Sequence, residues 1–124
     1  MDLVDSEGFD ELLGHPVIGN SWEGFVIENL LSAAPRRTLA SFYRSNAGAE
    51  IDLVLDMGAK HGVWAIEIKH SDAPTTSKGF HAALKDIQPD KTFIVYSGKD
   101  RYPKTDKIEI VPLPDLISDL LALS

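Results

Sequence analysis

Apolar residues recur at helical spacing near the start of the chain and at every second position soon afterwards. Ile18, Trp22, Phe25, Val26 and Leu30 fall on one helical stripe. That stripe predicts a helix opened by Pro16, or capped by Asn20 or Ser21, and running to about Ala33 before Pro35 ends it. A shorter helix is read at Ser6 to Leu13, with Ser6 as N-cap and Gly14 as stop. The period then changes to two. Leu39 to Ser45 reads as a strand around Phe42 and Tyr43, followed by an Asn46-Ala47-Gly48 turn. Glu50 to Met57 sets Ile51, Leu53 and Leu55 on one face and Glu50, Asp52 and Val54 on the other. After a Gly58–Gly62 turn, Val63 to His70 sets Trp64, Ile66 and Ile68 against Ala65, Glu67 and Lys69. Ser77 caps a helix to about Gln88, with Phe80, Ala83, Leu84 and Ile87 inward. Lys91 to Ser97 is apolar enough to be a central strand buried on both faces. A polar loop at Gly98 to Asp106 leads to a strand at Ile108 to Val111, and Pro114 opens a last helix to about Leu123.

The predicted order is helix, three strands, helix, strand, strand, helix. It describes an α/β domain with a mixed sheet, antiparallel at first and then carried by a crossover helix into a parallel neighbour. At 124 residues the chain suits one domain. Residues 1–15 read as an extension and 16–124 as the domain. No apolar run approaches the roughly 18 residues of a membrane span. The acidic Met1 to Glu11 stretch argues against a secretory leader. Cysteine is absent, which removes disulfides, thiolate metal sites and cysteine nucleophiles, and fits a cytoplasmic location. The four histidines (15, 61, 70 and 81) lack zinc-site spacing.

Net charge is −7, and it is uneven. Residues 1–56 carry ten acids against three arginines, while residues 57–124 balance nine against nine. Strong non-specific binding to nucleic acid usually needs a basic footprint, so the acidic half argues against it. The exception is a set of acids gathered around metal ions. Pairing the two alternating strands through the Gly58–Gly62 turn would place Asp52, Glu67 and Lys69 on one sheet face, beneath the following helix. Two carboxylates and a lysine there suit binding of Mg²⁺ and presentation of a phosphate to it. Equally, Trp64 to Lys69 reads as an ordinary amphipathic strand with a solvated polar side, and Lys69 as a structural partner of Glu67 or Asp52.

An aspartate on one strand, Glu-x-Lys fifteen residues later on the next, and a preceding helix with a glutamate resemble the PD-(D/E)XK nuclease superfamily. Gly19-Asn20-Ser21-Trp22-Glu23 is similar to the glycine-and-glutamate helix of archaeal Holliday-junction resolvases. Arg44 to Asp52 resembles their arginine, turn and aspartate. Glu67-Ile68-Lys69 matches the Glu-x-Lys, with Ser71 as the small polar residue after it. Ile51 stands where the superfamily's name has proline. The resemblance implies a restriction-endonuclease-like core and divalent-metal-dependent hydrolysis of DNA. Asp52 and Glu67 would hold Mg²⁺ or Mn²⁺, Glu23 would complete the metal shell, and Lys69 would orient or activate water. It also implies an alternative, a catalytically silent module that docks DNA or a protein partner.

A narrower resemblance runs from His15-Pro16 and Trp22-Glu23-Gly24-Phe25 through Phe42-Tyr43-Arg44 and Gly48 to Asp52, to Gly79-Phe80. These residues look like a bacterial and archaeal domain of unknown function at the C-terminus of AAA-type ATPases. No Walker A motif is present, since Gly98-Lys99 lacks the upstream glycine and precedes Asp100. The resemblance therefore implies the terminal part of such an ATPase, or a stand-alone relative. Candidate phosphate contacts are Arg44, Lys78 and Lys85 (which share a helix face with His81), and a basic loop of Lys99, Arg101, Tyr102, Lys104 and Lys107. Glu28 reads as surface or a salt-bridge partner, and Glu50 as a site residue or a partner for Arg44.

Overall fold

A computed structural model describes residues 21–71 and 76–123. The short helix read at Ser6 to Leu13 and the stripe residue Ile18 lie outside the described residues. The elements are α1 (Trp22–Ala33), β1 (Leu39–Arg44), β2 (Glu50–Asp56), one-turn α2 (Gly58–His61), β3 (Val63–Ile68) and α3 (Lys78–Ile87). They continue as β4 (Lys91–Tyr96), β5 (Tyr102–Pro103), β6 (Ile108–Pro112) and α4 (Leu113–Leu121). Six strands form one mixed sheet in the order β1-β2-β3-β4-β6-β5. β1, β2 and β3 run as an antiparallel meander, α3 crosses over so that β4 lies parallel to β3, and β6 lies parallel to β4.

Each face of the sheet has its own core. Val26, Ile27 and Leu30 of α1 and Leu116 and Leu120 of α4 pack on Leu53, Leu55, Trp64, Ile66, Phe93 and Val95. Phe80 and Ala83 of α3 pack on the other face, against Ile51, Val54, Ala65, Ile94 and Ile110. β4 supplies Phe93 and Val95 to one side and Ile94 and Tyr96 to the other, as a central strand must. Side chains cap both long helices at their starts: Ser21 Oγ accepts from the Gly24 N–H, and Ser77 Oγ from the Phe80 N–H. α3 also begins unusually close to the sheet. A Cβ on Gly79 would strike the Gly48 carbonyl oxygen, so glycine is what lets the helix start lie on the β1–β2 turn. Among the described residues, no helix is long and apolar enough to cross a membrane.

Four expectations need correction. Phe25 leaves the buried stripe of α1: it is 51% exposed, while Ile27 is fully buried in its place. Packing against α4 selects the helix face, and Phe25 stacks on Trp22 outside the core. Ile51 packs on the opposite face from Leu53 and Leu55, for a reason given below. The polar loop after β4 contains strand β5, which pairs antiparallel with β6 (Tyr102 with Ile110, Pro103 with Glu109). Pro103 is accommodated because β5 is a sheet edge, where no donor is required of it. Finally, the Gly58–Gly62 turn is wound into α2, closed by the Gly62 N–H donating to the Gly58 carbonyl at 2.7 Å.

Candidate functional site

The site begins with an irregularity in β2. Ser41 pairs with Val54 and Tyr43 with Ile51, so Phe42 of β1 faces two residues, Asp52 and Leu53. The extra residue is a β-bulge, and it reverses the alternation, which moves Ile51 across the sheet. β2 and β3 pair from Asp56–Val63 to Leu53–Ile66. Just past that register the Ile68 N–H donates to the Asp52 side chain, Oδ2, at 2.8 Å. The carboxylate thus takes the place of a ladder carbonyl where the strands part.

Glu67, one residue before Ile68, is 5% exposed and is the one buried charged residue type among the described residues. Its Oε2 lies 3.3 Å from Lys69 Nζ, while its Oε1 is buried with no hydrogen-bond partner. Burial, reinforced by the charge of Asp52 and a hydrogen bond shared with it, pushes the Glu67 carboxyl up to about 8 against the pull of Lys69. Glu67 therefore holds a proton at neutral pH more often than an ordinary glutamate would.

Lys69 is fixed by its backbone. Its N–H donates to the Val95 carbonyl at 2.8 Å, and its own carbonyl accepts from the Trp22 indole N–H at 2.8 Å. That second bond pins the first turn of α1 over the end of β3 and brings Glu23 to the cluster. Although Glu23 remains accessible to solvent, its carboxyl is raised by desolvation, then by Asp52 and Glu50, with Arg44 opposing. Arg44 Nη1 lies 3.7 Å from Glu50 Oε1. A groove of about 430 Å³, lined by Ser21, Trp22, Glu23, Ile68 and His70, opens beside these groups.

Glu23, Asp52, Glu67, Lys69 and Arg44 are thus brought together from α1, β1, β2 and β3. The other basic candidates are not part of the cluster. Lys78 and Lys85 are exposed on α3, and Lys99 and Lys104 are exposed beyond β4. Arg101 is engaged elsewhere, by Glu109 and Asp119, each at 2.6 Å.

A family model described as a domain of unknown function (DUF4143) matches residues 18–116. The chain belongs to this family. Two curated relatives are 33% identical over 124 residues: uncharacterized protein Rv2008c of Mycobacterium tuberculosis and uncharacterized protein Mb2031c of Mycobacterium bovis. The match takes in 94% of this chain and 27% of each relative, so the chain spans about a quarter of their length. No solved structure matches.

Whether the DUF4143 cluster suits a cation turns on its donors. Asp52 and Glu67 offer adjacent carboxylate oxygens, the ligand type of hard divalent cations. The partnerless Oε1 of Glu67 fits an oxygen donor awaiting a ligand. Among the described residues no group of three or more acids or histidines is set to hold a metal, so the fit rests on these two. Two contributors were missed from sequence: the Trp22 indole as the clamp on Lys69, and His70 as a wall of the groove. Trp22 beside Glu23 reads as one more apolar stripe residue, and the spacing gives no sign of its polar bond.

Proposed function

We propose that this domain hydrolyses phosphodiester bonds of DNA with a divalent cation of the Mg²⁺ or Mn²⁺ type. The observation that carries the reading is the buried Glu67 carboxyl, one oxygen without a partner, between Asp52 and Lys69. Such a desolvated acid beside a second carboxylate and a cation is the arrangement expected of reactive groups. Asp52 and Glu67 would hold the cation, and Glu23 would complete its surroundings. Bound there, the cation would supply Lewis-acid polarisation of the phosphate and neutralise its charge. Lys69, fixed at both backbone ends, would orient the attacking water. Its oxygen bonds to phosphorus, one P–O bond to the sugar breaks, and the leaving oxygen gains a proton. A restriction-endonuclease-like core is part of this proposal; it draws on the β1–β3 meander followed by crossover helix α3, with Asp52 on bulged β2, Glu67 on β3 and Lys69 just past its end. In a longer parent chain an AAA-type ATPase domain would adjoin it in cis.

The second reading, a silent module that docks DNA or a protein, draws on different contacts. Asp52 already accepts from Ile68, and Lys69 already meets Glu67, so the cluster holds together without a cation. Cleavage of plasmid and branched DNA with Mg²⁺ or Mn²⁺ separates the two. The hydrolytic reading expects metal-dependent nicking that falls at least about 100-fold in Lys69→Ala, the scale of losing a group that acts in the transition state. Arg101→Ala should cut like wild type. No cleavage by wild type with either cation would leave the docking reading standing.

A further inference from the structure

The groove beside Glu23 has two rings in its wall, Trp22 and His70. The Trp22 ring stacks on Phe25 with centroids 6.2 Å apart and planes 27° from parallel, and His70 meets Trp22 edge-on at 6.3 Å. The two α1 rings stand three residues apart, on neighbouring positions of one helix surface. The Trp22 N–H is already satisfied by Lys69, so the indole is held rigidly. Phe25 keeps 51% of its surface in solvent on a helix whose next two residues are wholly buried. The groove's 430 Å³ falls within the roughly 300–1,000 Å³ of ligand clefts. Trp22 and Glu23 both line the groove, and Glu23 feels the charge of Asp52, so the Trp22 end of this aromatic shelf adjoins the carboxylate cluster, with Phe25 beside it outside the groove.

We propose that Trp22 and Phe25 stack an unpaired base of a single-stranded or frayed nucleic acid, with the adjoining phosphodiester at Asp52 and Glu67. The inference rests on the phosphodiester reading and names its substrate class. Stacking requires a π-face alone and tightens binding by about ten-fold per base or more whatever the sequence. It also asks little of the surrounding charge. With a net charge of −7 the chain is ill suited to follow a long phosphate track, but a neutral base beside Glu23 meets no repulsion. Paired bases inside a duplex keep their faces covered and cannot use the shelf.

Binding in EDTA tests this apart from cleavage. Oligothymidylate and an abasic strand of equal length and phosphate number are titrated against the protein, with tryptophan fluorescence as the readout. Of the two tryptophans, Trp64 is 2% exposed, so quenching by a stacked base reports on Trp22. Wild type should bind oligothymidylate about ten-fold more tightly than the abasic strand, with quenching, as one stacked base implies. Phe25→Ala, a change at an exposed position, should erase most of that preference, and Arg101→Ala, engaged away from the groove, should keep it. Base preference without metal-dependent cleavage would uphold the shelf while ending the hydrolytic reading. Equal affinity for both strands, or a preference untouched by Phe25→Ala, would overturn the proposal. So would capture of an arginine-rich peptide with neither strand bound, since cation–π contact would then be the shelf's use.

Discussion

Arg101 is held by two part-exposed carboxylates, whereas Lys69, itself part-exposed, meets a Glu67 carboxyl that is almost wholly buried. The first cluster is saturated. Arg101 donates to both oxygens of Glu109 at 2.6 and 3.1 Å and to both of Asp119 at 3.1 and 2.6 Å, tying β6 to α4. Those hydrogen bonds, Glu109 first and Asp119 next, raise the guanidinium pKa further above its already high value. The second cluster is short of partners: one ammonium at 3.3 Å, one carboxylate neighbour, and an oxygen with nothing to bind. Complementary charge with full hydrogen bonding makes a brace. Desolvated like charge with spare donor capacity makes a site that a cation or substrate can complete.

The largest consequence is in pH. In the unfolded chain Glu67 titrates near 4.5, and in the fold near 8. Below about 4.5 both states hold the proton and the Glu67 contribution to stability is fully present. From there to about 8 the folded state binds more protons, so stability falls as pH rises. The loss is on the order of a few kcal/mol across that window. The raised Glu23 carboxyl adds a smaller slope of the same sign. Urea unfolding from pH 5 to pH 9 should show the fall in wild type and a flatter profile in Glu67→Gln. Arg101→Met should run parallel to wild type, because arginine does not titrate there. Parallel curves for wild type and Glu67→Gln would mean that Glu67 ionises normally, and the contrast between the clusters would disappear.

A smaller effect should follow from added metal. A cation bound only by the folded form stabilises it by about 2.7 kcal/mol at a hundred times its Kd, an increase of several degrees in Tm for a domain of this size. The shift should grow with pH, since Glu67 must lose its proton to serve as a ligand. It should vanish in Asp52→Asn and survive in Arg101→Ala. Asp52→Asn without metal should be no less stable than wild type, because an amide oxygen can still accept from Ile68 while repulsion of Glu67 is relieved. A wild type indifferent to both Mg²⁺ and Mn²⁺ would make the second cluster as structural as the first.

These two clusters were unequally legible in the sequence. Asp52, Glu67 and Lys69 are legible because strand alternation is a local rule that sets all three on one sheet face, where the aspartate and Glu-x-Lys spacing then carries the resemblance. The bulge at Asp52–Leu53 was hidden, because it depends on how Phe42 of another strand is registered, and so the face of Ile51 was misassigned. Arg101 belonged to a run of loop cations, and its carboxylates lie 8 and 18 residues further on, beyond any local pattern. Phe25 fitted the helical stripe as well as Ile27 does. The choice between them was made by α4, some ninety residues away in sequence.

The smallest effect separates the clusters by what screens them. Arg101, Glu109 and Asp119 each keep about a third of their side-chain surface in water. Exposed ion pairs contribute roughly 0.2–1 kcal/mol each, so Arg101→Ala should cost about 1 kcal/mol near neutral pH. That cost should shrink as salt is raised, because the Debye length drops from about 10 Å at 0.1 M to about 3 Å at 1 M. Lys69→Ala should respond the other way. At pH 6 its partner Glu67 is mostly protonated, so little charge is left unpaired and the loss is small. Above pH 8 the same substitution strands an ionised, buried carboxylate, and the cost should rise with pH while salt changes it little. Unfolding free energies of both variants at two salt concentrations and two pH values give the answer in one set of curves. A salt-sensitive Lys69→Ala with no pH dependence would show that Glu67 is paired through solvent like any surface acid, and the comparison would collapse.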